Sequence, residues 1–230
     1  MNKRLKIIFS LAGLFSVFGN NGLVFAHENS EHQSTTQHVE SSKEKVAGFK
    51  SVLSKFQHFS ADFTQTVIDT EGKTVMSGHG KVKIKQPNRL RWHAIEPDEN
   101  ILVSDGKTLY LHNVFLEQVS LYHTKDAINS TPFVLLSDPD SQYWTDYNIV
   151  STDSGYRIVA KSESAQVKTL SILLNKEKIK GFEVEDGTGQ LSKFHFNNVN
   201  TTDEIADNAF TFDMPEDVDI DDQRTALVNQ

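Results

Sequence analysis

Residue types that commonly take part in catalysis occur in this chain, but not at the spacings that known catalytic motifs require. Nine histidines occur among 230 residues, and His79, His93, His112 and His195 stand singly on strand-like segments. The chain has no HExxH zinc motif, no GxSxG nucleophile turn and no GxxxxGK[ST] phosphate loop. The sequence therefore predicts no catalytic centre of these classes and no ATP hydrolysis through a phosphate loop.

Two groups of side chains have the chemistry of metal ligands. One lies near the N-terminus and consists of His27, Glu28, His32 and His38. The other lies near the C-terminus and consists of Asp219, Asp221 and Asp222. Metal sites need ordered ligands with second-shell support, and both groups stand among polar residues. We expect a solvated tail and a solvated acidic turn, with no metal and no cofactor.

Cysteine usage and net charge exclude further classes. The chain contains no cysteine, which excludes structural disulfides, thiol catalysis and a lipid-modified cysteine as a membrane anchor. Its formal net charge is −8. Nucleic acid and anionic lipid surfaces both need positive charge on their partner. We therefore expect neither as a ligand.

The first 26 residues have the pattern of a secretory signal peptide. Lys3, Arg4 and Lys6 precede an apolar run, 7–18, and Ala26 supplies the small residue before a cleavage point. The apolar run is shorter than the roughly 20 residues that span a membrane. Removal of the signal peptide, with its three positive charges, changes the net charge from −8 to −11. We expect an exported, soluble monomer.

The remaining chain divides into three parts. Residues 27–42 are polar and histidine-rich, which predicts a flexible spacer. Residues 43–224 carry the apolar periodicity of one domain, and residues 225–230 form a short tail. Within the domain, 43–57 is expected to be an amphipathic helix. Its apolar stripe consists of Val46, Phe49, Val52, Leu53 and Phe56.

From Phe59 the apolar period falls to two, which predicts β-strands. Residues 59–67 alternate between apolar and polar side chains, and Pro and Asp-Gly turns divide 81–113 into consecutive short strands. Gly78 and Gly80 suit a bend or bulge in a curved sheet. Later strands are expected at 116–123, 146–151, 156–161, 167–175, 178–186, 190–199 and 210–212. Residues 131–136 and 139–143 are expected to form short helices.

The pattern shows no alternation of strands with long helices, so a parallel α/β sheet is not expected. The pattern predicts a mainly β protein: an incomplete antiparallel β-barrel of about eleven strands, with an N-terminal helix and short helices over its mouth. Such a sheet has one concave face and few helices to cover it, which favours a partly unfilled interior. Candidate lining residues are Phe59, Ala61, Phe63, Leu90, Trp92, Leu102 and Tyr110. An ordinary packed core explains the phenylalanines about equally well.

Several phrases of the sequence, taken in order, resemble the periplasmic outer-membrane lipoprotein carriers of the Lol pathway (the LolA family). The phrases are Phe59-x-Ala61-x-Phe63-x-Gln65, Pro87-Asn88-Arg89-Leu90-Arg91-Trp92, Ile101 to Leu109, Leu116-Glu117-Gln118, Thr131-Pro132, Tyr147 and Val218 to Arg224. The resemblance extends over about 43–224. It implies an unclosed barrel whose helices form a lid over a hydrophobic cavity.

The resemblance also implies a function. Such a carrier takes triacylated lipoproteins from an ATP-driven inner-membrane complex, shields their acyl chains in the periplasm of a Gram-negative bacterium, and passes them to an outer-membrane receptor. That receptor is itself a lipoprotein, so the missing cysteine favours the carrier. The implied lid or gate residues are Gln86, Val46, Phe49, Leu53, Phe133, Leu135 and Leu136.

The sequence departs from the family at two places. A family arginine that bonds the lid helices falls at Gln86, and a family phenylalanine falls at Leu90. We expect a neutral Gln86 to hold the lid by fewer and weaker bonds than a charged fork. Two other functions stay open at this point. One is a periplasmic lipoprotein-sensing or regulatory module of the same fold, and the other is a hydrolase, for which the sequence shows no nucleophile within a catalytic motif.

Overall fold

A computed structural model describes residues 46–54, 57–127, 136–176 and 178–225 of the chain. Within these ranges, twelve strands form one sheet in the order β12-β6-β5-β4-β3-β2-β1-β11-β10-β9-β8-β7. The two outermost strands, β12 and β7, are not paired with each other, so the sheet curves without closing. The predicted mainly β, unclosed barrel is confirmed.

The elements follow one another with short connections. The strands are β1 (His58–Ile68), β2 (Thr74–Lys85), β3 (Arg89–Glu96), β4 (Asn100–Asp105), β5 (Thr108–Asn113), β6 (Gln118–His123), β7 (Tyr147–Thr152), β8 (Gly155–Ala160), β9 (Val167–Asn175), β10 (Lys178–Asp186), β11 (Leu191–Asn200) and β12 (Asp219–Asp222). Helix α1 covers residues 46–54, and α2 is Thr124–Ala127. Short 3-10 helices are Gln142–Asp146, Asp207–Phe210 and Gln223–Thr225.

Alternation of apolar and polar side chains decides which face of the sheet is buried. On β1, Phe59, Ala61, Phe63, Gln65 and Val67 are buried, while the side chains between them are half-buried or exposed. Successive strand residues point to opposite faces, so one slip of register would expose the whole set. The apolar face lines the inside of the curve and holds the main core.

The predicted bend in β2 is present, and Gly80 permits it. The pairing of β2 with β3 shifts register between His79 and Gly80. A methyl group on Gly80 would overlap the carbonyl oxygen of His93 and lie 2.5 Å from the ring of Phe63. The glycine therefore lets β3 and the Phe63 ring approach the backbone of β2 closely.

Two predictions near the C-terminus are wrong. Residues 210–212 were expected to form a strand, but Phe210 ends a 3-10 helix and its ring is buried. The acidic residues from Asp219 to Asp222 were expected to form a solvated turn. They instead form β12, which pairs in parallel with β6, the one parallel pair among the described strands.

The segment before β12 is held to the outer face of the sheet by ion pairs and ring stacking. Lys85 donates to the backbone oxygen of Ile205 (3.0 Å) and pairs with Asp207 (2.5 Å), which lowers the pKa of that carboxyl. Arg91 donates to the backbone oxygen of Thr211 (3.2 Å). The segment thus crosses β2 and β3 before it reaches the edge beside β6.

An ion pair closes the end of β12. The Arg224 guanidinium lies 2.5 Å from a carboxylate oxygen of Asp222. Hydrogen bonds from the Arg224 side chain and backbone lower the pKa of Asp222 to about 2. A four-residue acidic strand with little apolar content is therefore positioned by a charge at its end as well as by its pairing.

We expect Gly80→Ala to destabilise the fold by about 1–3 kcal/mol, the usual cost of forcing a group into a packed site. Urea denaturation would measure the change in the free energy of unfolding. The matched control is Gly187→Ala, because the nearest atom to a methyl group there lies 3.5 Å away. Equal stabilities of the two variants would contradict this account of the bend.

Candidate functional site

The centre of the concave face is a cluster of three aromatic rings from three strands. The rings of Phe63 on β1 and Trp92 on β3 are stacked with centroids 4.3 Å apart. Phe194 on β11 meets Phe63 at 5.7 Å and Trp92 at 5.0 Å, edge to face in both cases. Such offset and edge contacts are the favourable geometries for aromatic rings. The three rings form a continuous apolar floor.

The floor extends to both sides along the same face. Phe196 lies edge to face with Phe59 (5.4 Å) and with Phe182 (4.9 Å). On the other side, Leu90 and Leu102 are buried in the same cluster. Leu90 and Trp92 share a face, as their alternation predicts, and Arg89 and Arg91 lie on the opposite one.

Helix α1 covers part of this floor. Its Phe49 and Leu53 are buried in the cluster, and Val46 packs against it. The Phe49 ring lies 4.9 Å from that of Trp144 and 5.3 Å from that of Tyr156. The helix therefore contacts both the 3-10 helix Gln142–Asp146 and strand β8.

The turn between β2 and β3 ties the covering segments to the sheet. The side-chain amide of Gln86 donates to the backbone oxygen of Leu53 (2.9 Å), and its backbone N–H donates to Gln57 (3.0 Å). Two residues later, the N–H of Asn88 donates to the backbone oxygen of Ser137 (3.0 Å). One turn thus holds the end of α1 and the segment that follows residue 135.

The concave face holds a small cavity under α1 in this conformation. A residual cavity of about 10 Å³ lies between α1 and the sheet, room for little more than one water molecule. Its lining residues are Leu53, Phe59, Ile84, Leu136, Ile179 and Phe182. The partly unfilled interior that the sequence favoured stays a prediction. A large apolar ligand would have to displace the cover.

Most of the sequence-derived lining and lid residues come together around this floor. In the buried cluster are Phe59, Ala61, Phe63, Leu90, Trp92, Leu102, Phe49, Leu53 and Leu136. Val46 and Gln86 lie at its edge. Phe133 and Leu135 fall outside the described residues.

The placement of Tyr110 on the concave face is wrong. Leu109 is the buried core residue of β5, and alternation turns Tyr110 to the outer face. There the Tyr110 ring stacks on Phe212 with centroids 4.9 Å apart. The residue holds the C-terminal segment in place and does not line the floor.

Sequence reasoning missed several contributors to the cluster, among them Phe182, Ile84, Trp144 and Tyr156. Phe182 and Ile84 stand on strands in which apolar and polar residues alternate. That alternation in the sequence could have identified them. Trp144 and Tyr156 give no such signal, because a 3-10 helix and the start of a short strand carry no clear period. Their role depends on contacts with Phe49, which is distant in sequence.

Potential metal ligands do not cluster among the described residues. No group of three or more His, Cys or acidic side chains could hold a metal within the described ranges. Burial lowers the pKa of His112, against the opposing charge of Glu99, and its ring faces Phe212 at 6.0 Å. No described helix is long and apolar enough to cross a membrane.

Comparison with known proteins gives consistent matches. Residues 54–213 match the model of the family described as "Outer membrane lipoprotein carrier protein LolA". An outer-membrane lipoprotein carrier protein from Vibrio campbellii is 41% identical over 191 residues, covering 83% of this chain and 90% of the relative. One from Aliivibrio fischeri is 44% identical over 168 residues, covering 72% and 84%.

A solved structure shows a looser likeness. The crystal structure of a LolA superfamily protein from Nitrosomonas europaea aligns with a TM-score of 0.46 and 11% identity, covering 74% of this chain and 97% of that one.

Proposed function

Because the chain belongs to the outer membrane lipoprotein carrier family, we propose that it is a periplasmic chaperone for acylated lipoproteins. It accepts lipoproteins released from the inner membrane, shields their acyl chains and delivers them to the outer membrane. The observation that carries the proposal is the aromatic and aliphatic floor on one face of an unclosed sheet, covered by short helical segments.

The chemistry of the site suits acyl chains better than a polar ligand. The floor around Phe63, Trp92 and Phe194 is mainly apolar, with the buried polar side chains of Gln65 and Ser192 on the same face. No group of three or more potential metal ligands stands among the described residues. Family membership favours a carrier over an enzyme. It also favours a carrier over a lipoprotein-sensing or regulatory module, because the curated relatives are carriers.

The energetics of loading depend on an exchange of apolar surfaces. Burying one 16-carbon acyl chain is worth roughly 12 kcal/mol at about 0.8 kcal/mol per methylene. Exposing Phe49 and Leu53 when α1 moves away costs roughly 1.5–3 kcal/mol each. Chain burial therefore exceeds the cost of displacing these two side chains, and the ligand replaces the cover as the apolar surface over the floor.

Release of cargo limits how completely the chains are buried. Three fully buried chains would exceed the practical affinity limit of roughly 18–21 kcal/mol. A single sheet covered by short segments buries the chains incompletely, which keeps the complex reversible. We therefore propose that the carrier domain, residues 43–224, holds its triacylated cargo in an open, partly covered groove.

The partners follow from this role. The donor is an ATP-driven complex of the inner membrane, and the acceptor is a lipoprotein receptor of the outer membrane. The proposed lining residues are all buried in the cluster and consist of Phe59, Ala61, Phe63, Leu90, Trp92 and Leu102. The proposed lid consists of α1, which is bonded to Gln86, and the segment that begins at Leu136, which is bonded to Asn88.

Incubation of the mature protein with spheroplasts that hold newly made lipoproteins tests the function. We expect soluble 1:1 complexes with triacylated lipoproteins, because acyl-chain burial replaces membrane insertion. The control is a cargo whose acylated cysteine is replaced by serine. Failure to solubilise any acylated cargo, with an intact donor complex present, would contradict the proposal.

The Gln86 bond to Leu53 makes lid opening testable. Gln86→Arg should slow the release of a fluorescent acyl probe, because a guanidinium offers more donors than one amide. Gln86→Leu removes the donor and should speed release. Stopped-flow fluorescence measures both rates. Identical rates in the wild type and both variants would show that this side chain does not govern the lid.

A further inference from the structure

The end of the barrel away from α1 carries exposed apolar side chains. The turn between β5 and β6 exposes 81% of Phe115 and 50% of Leu116, and the adjoining start of β12 exposes 59% of Ile220. We call these three side chains the apolar tip. Scattered exposed apolar residues are ordinary, but adjacent ones mark an interaction surface.

Backbone and side-chain bonds hold the tip in a fixed shape. The N–H of Leu116 donates to the side-chain oxygen of Asn113 (2.8 Å), and the N–H of Glu117 donates to Val114 (3.2 Å). The N–H of Asp219 donates to the backbone oxygen of Glu117 (2.8 Å), which joins β12 to the turn. Phe115 and Leu116 therefore project from an ordered turn.

Strand direction places the tip opposite the lid. β5 ends and β6 begins at the tip, whereas the Gln86 turn lies at the end of β2, beside the start of β1. The pairings from β2 to β6 are all antiparallel, so the two turns stand at opposite ends of the strands. A partner seated on the tip leaves the bond between Gln86 and Leu53 accessible.

The surroundings of the tip are acidic. The N–H of Val114 donates to the backbone oxygen of Glu99 (3.2 Å), which brings the turn between β3 and β4 beside the tip. Three segments meet there: 96–100, 113–118 and 216–221. They contain no lysine or arginine. Their carboxylates are Glu96, Asp98, Glu99, Glu117, Glu216, Asp217, Asp219 and Asp221.

We propose that the apolar tip docks a partner protein that presents an apolar pocket bordered by lysine or arginine side chains. Apolar contact supplies the affinity, and opposite charge steers the encounter and selects the partner. An anionic lipid surface would repel the carboxylate rim. The inference rests on the proposed carrier function, since the partner is a membrane-bound protein that loads or unloads the carrier.

Two pairs of variants test the tip. Phe115→Ser with Leu116→Ser removes the apolar surface, and Val75→Ser, at a side chain also 50% exposed, is its control. Glu117→Lys with Asp219→Lys reverses charge in the rim. Asp153→Lys is the charge control, because Asp153 lies in the exposed turn between β7 and β8 at the other end of the strands.

Three measurements on the purified mature protein separate the possible outcomes. The first is equilibrium binding of a free triacylated lipopeptide. The second is the rate of loading from inner-membrane vesicles that contain the donor complex, and of delivery to outer-membrane vesicles, at about 50 and about 300 mM salt. The third is sedimentation with phosphatidylethanolamine–phosphatidylglycerol vesicles that contain no protein.

We expect both tip variants to bind the lipopeptide within about twofold of the wild type, but to load or deliver at least about tenfold more slowly. Higher salt should slow the wild type and leave the charge-reversed variant little changed. Both controls should match the wild type. A wild type that does not bind the lipopeptide would refute the carrier function separately, in the first measurement.

Three results would overturn the docking proposal. The first is loading and delivery at wild-type rates in both tip variants. The second is sedimentation of the wild type, but not the serine variant, with protein-free vesicles, which would identify a lipid surface as the partner. The third is self-association of the wild type, measured by sedimentation without vesicles, that the serine variant abolishes; it would identify a second copy of the chain as the partner.

Discussion

The contact of Phe49 with Trp144 and Tyr156 holds helix α1 over the concave face of a sheet whose two edge strands do not pair. Within the described ranges, twelve strands in one curved sheet leave one apolar face, and no second sheet packs over it. The described cover is one short helix and the 3-10 segment around Trp144. Short elements contribute little helical stability of their own. The cover is therefore held by packing on the floor and by the bonds of the Gln86 turn, and it can be exchanged for another apolar surface.

Much of the floor could be predicted from local pattern. Phe59, Ala61 and Phe63 alternate with polar residues, and Leu90 and Trp92 alternate with arginines, so period and burial agree. Tyr110 could not be placed, because Leu109 and Tyr110 are both large and only the register of β5 decides which one faces inward. An alternating pattern thus predicts the buried face of a strand only where the side chains of the two faces differ clearly in polarity.

The C-terminal part shows where local pattern fails. Asp219 to Asp222 have little apolar content, and they form a strand only because β6 offers an unpaired edge. Phe210 and Phe212 alternate as a strand would, yet they pack on the outer face from an irregular segment that Lys85 and Arg91 hold. Both outcomes depend on partners a hundred or more residues away, which composition and period do not reveal.

The two ends of the barrel have different chemistry. The Gln86 end joins the cover to the sheet through neutral hydrogen bonds, while the other end presents apolar side chains within a carboxylate rim. A carrier that meets its partners through one end can move the cover at the other. This separation allows docking and opening to be adjusted by different residues.

Quenching of Trp92 fluorescence tests most directly whether the floor holds acyl chains. The chain contains two tryptophans, so Trp144→Phe leaves Trp92 as the single reporter on the floor. A triacylated lipopeptide with a spin label midway along one acyl chain should quench that emission on binding, because the label then lies in contact with the indole ring. Binding that leaves Trp92 emission unchanged would place the acyl chains elsewhere and contradict the account.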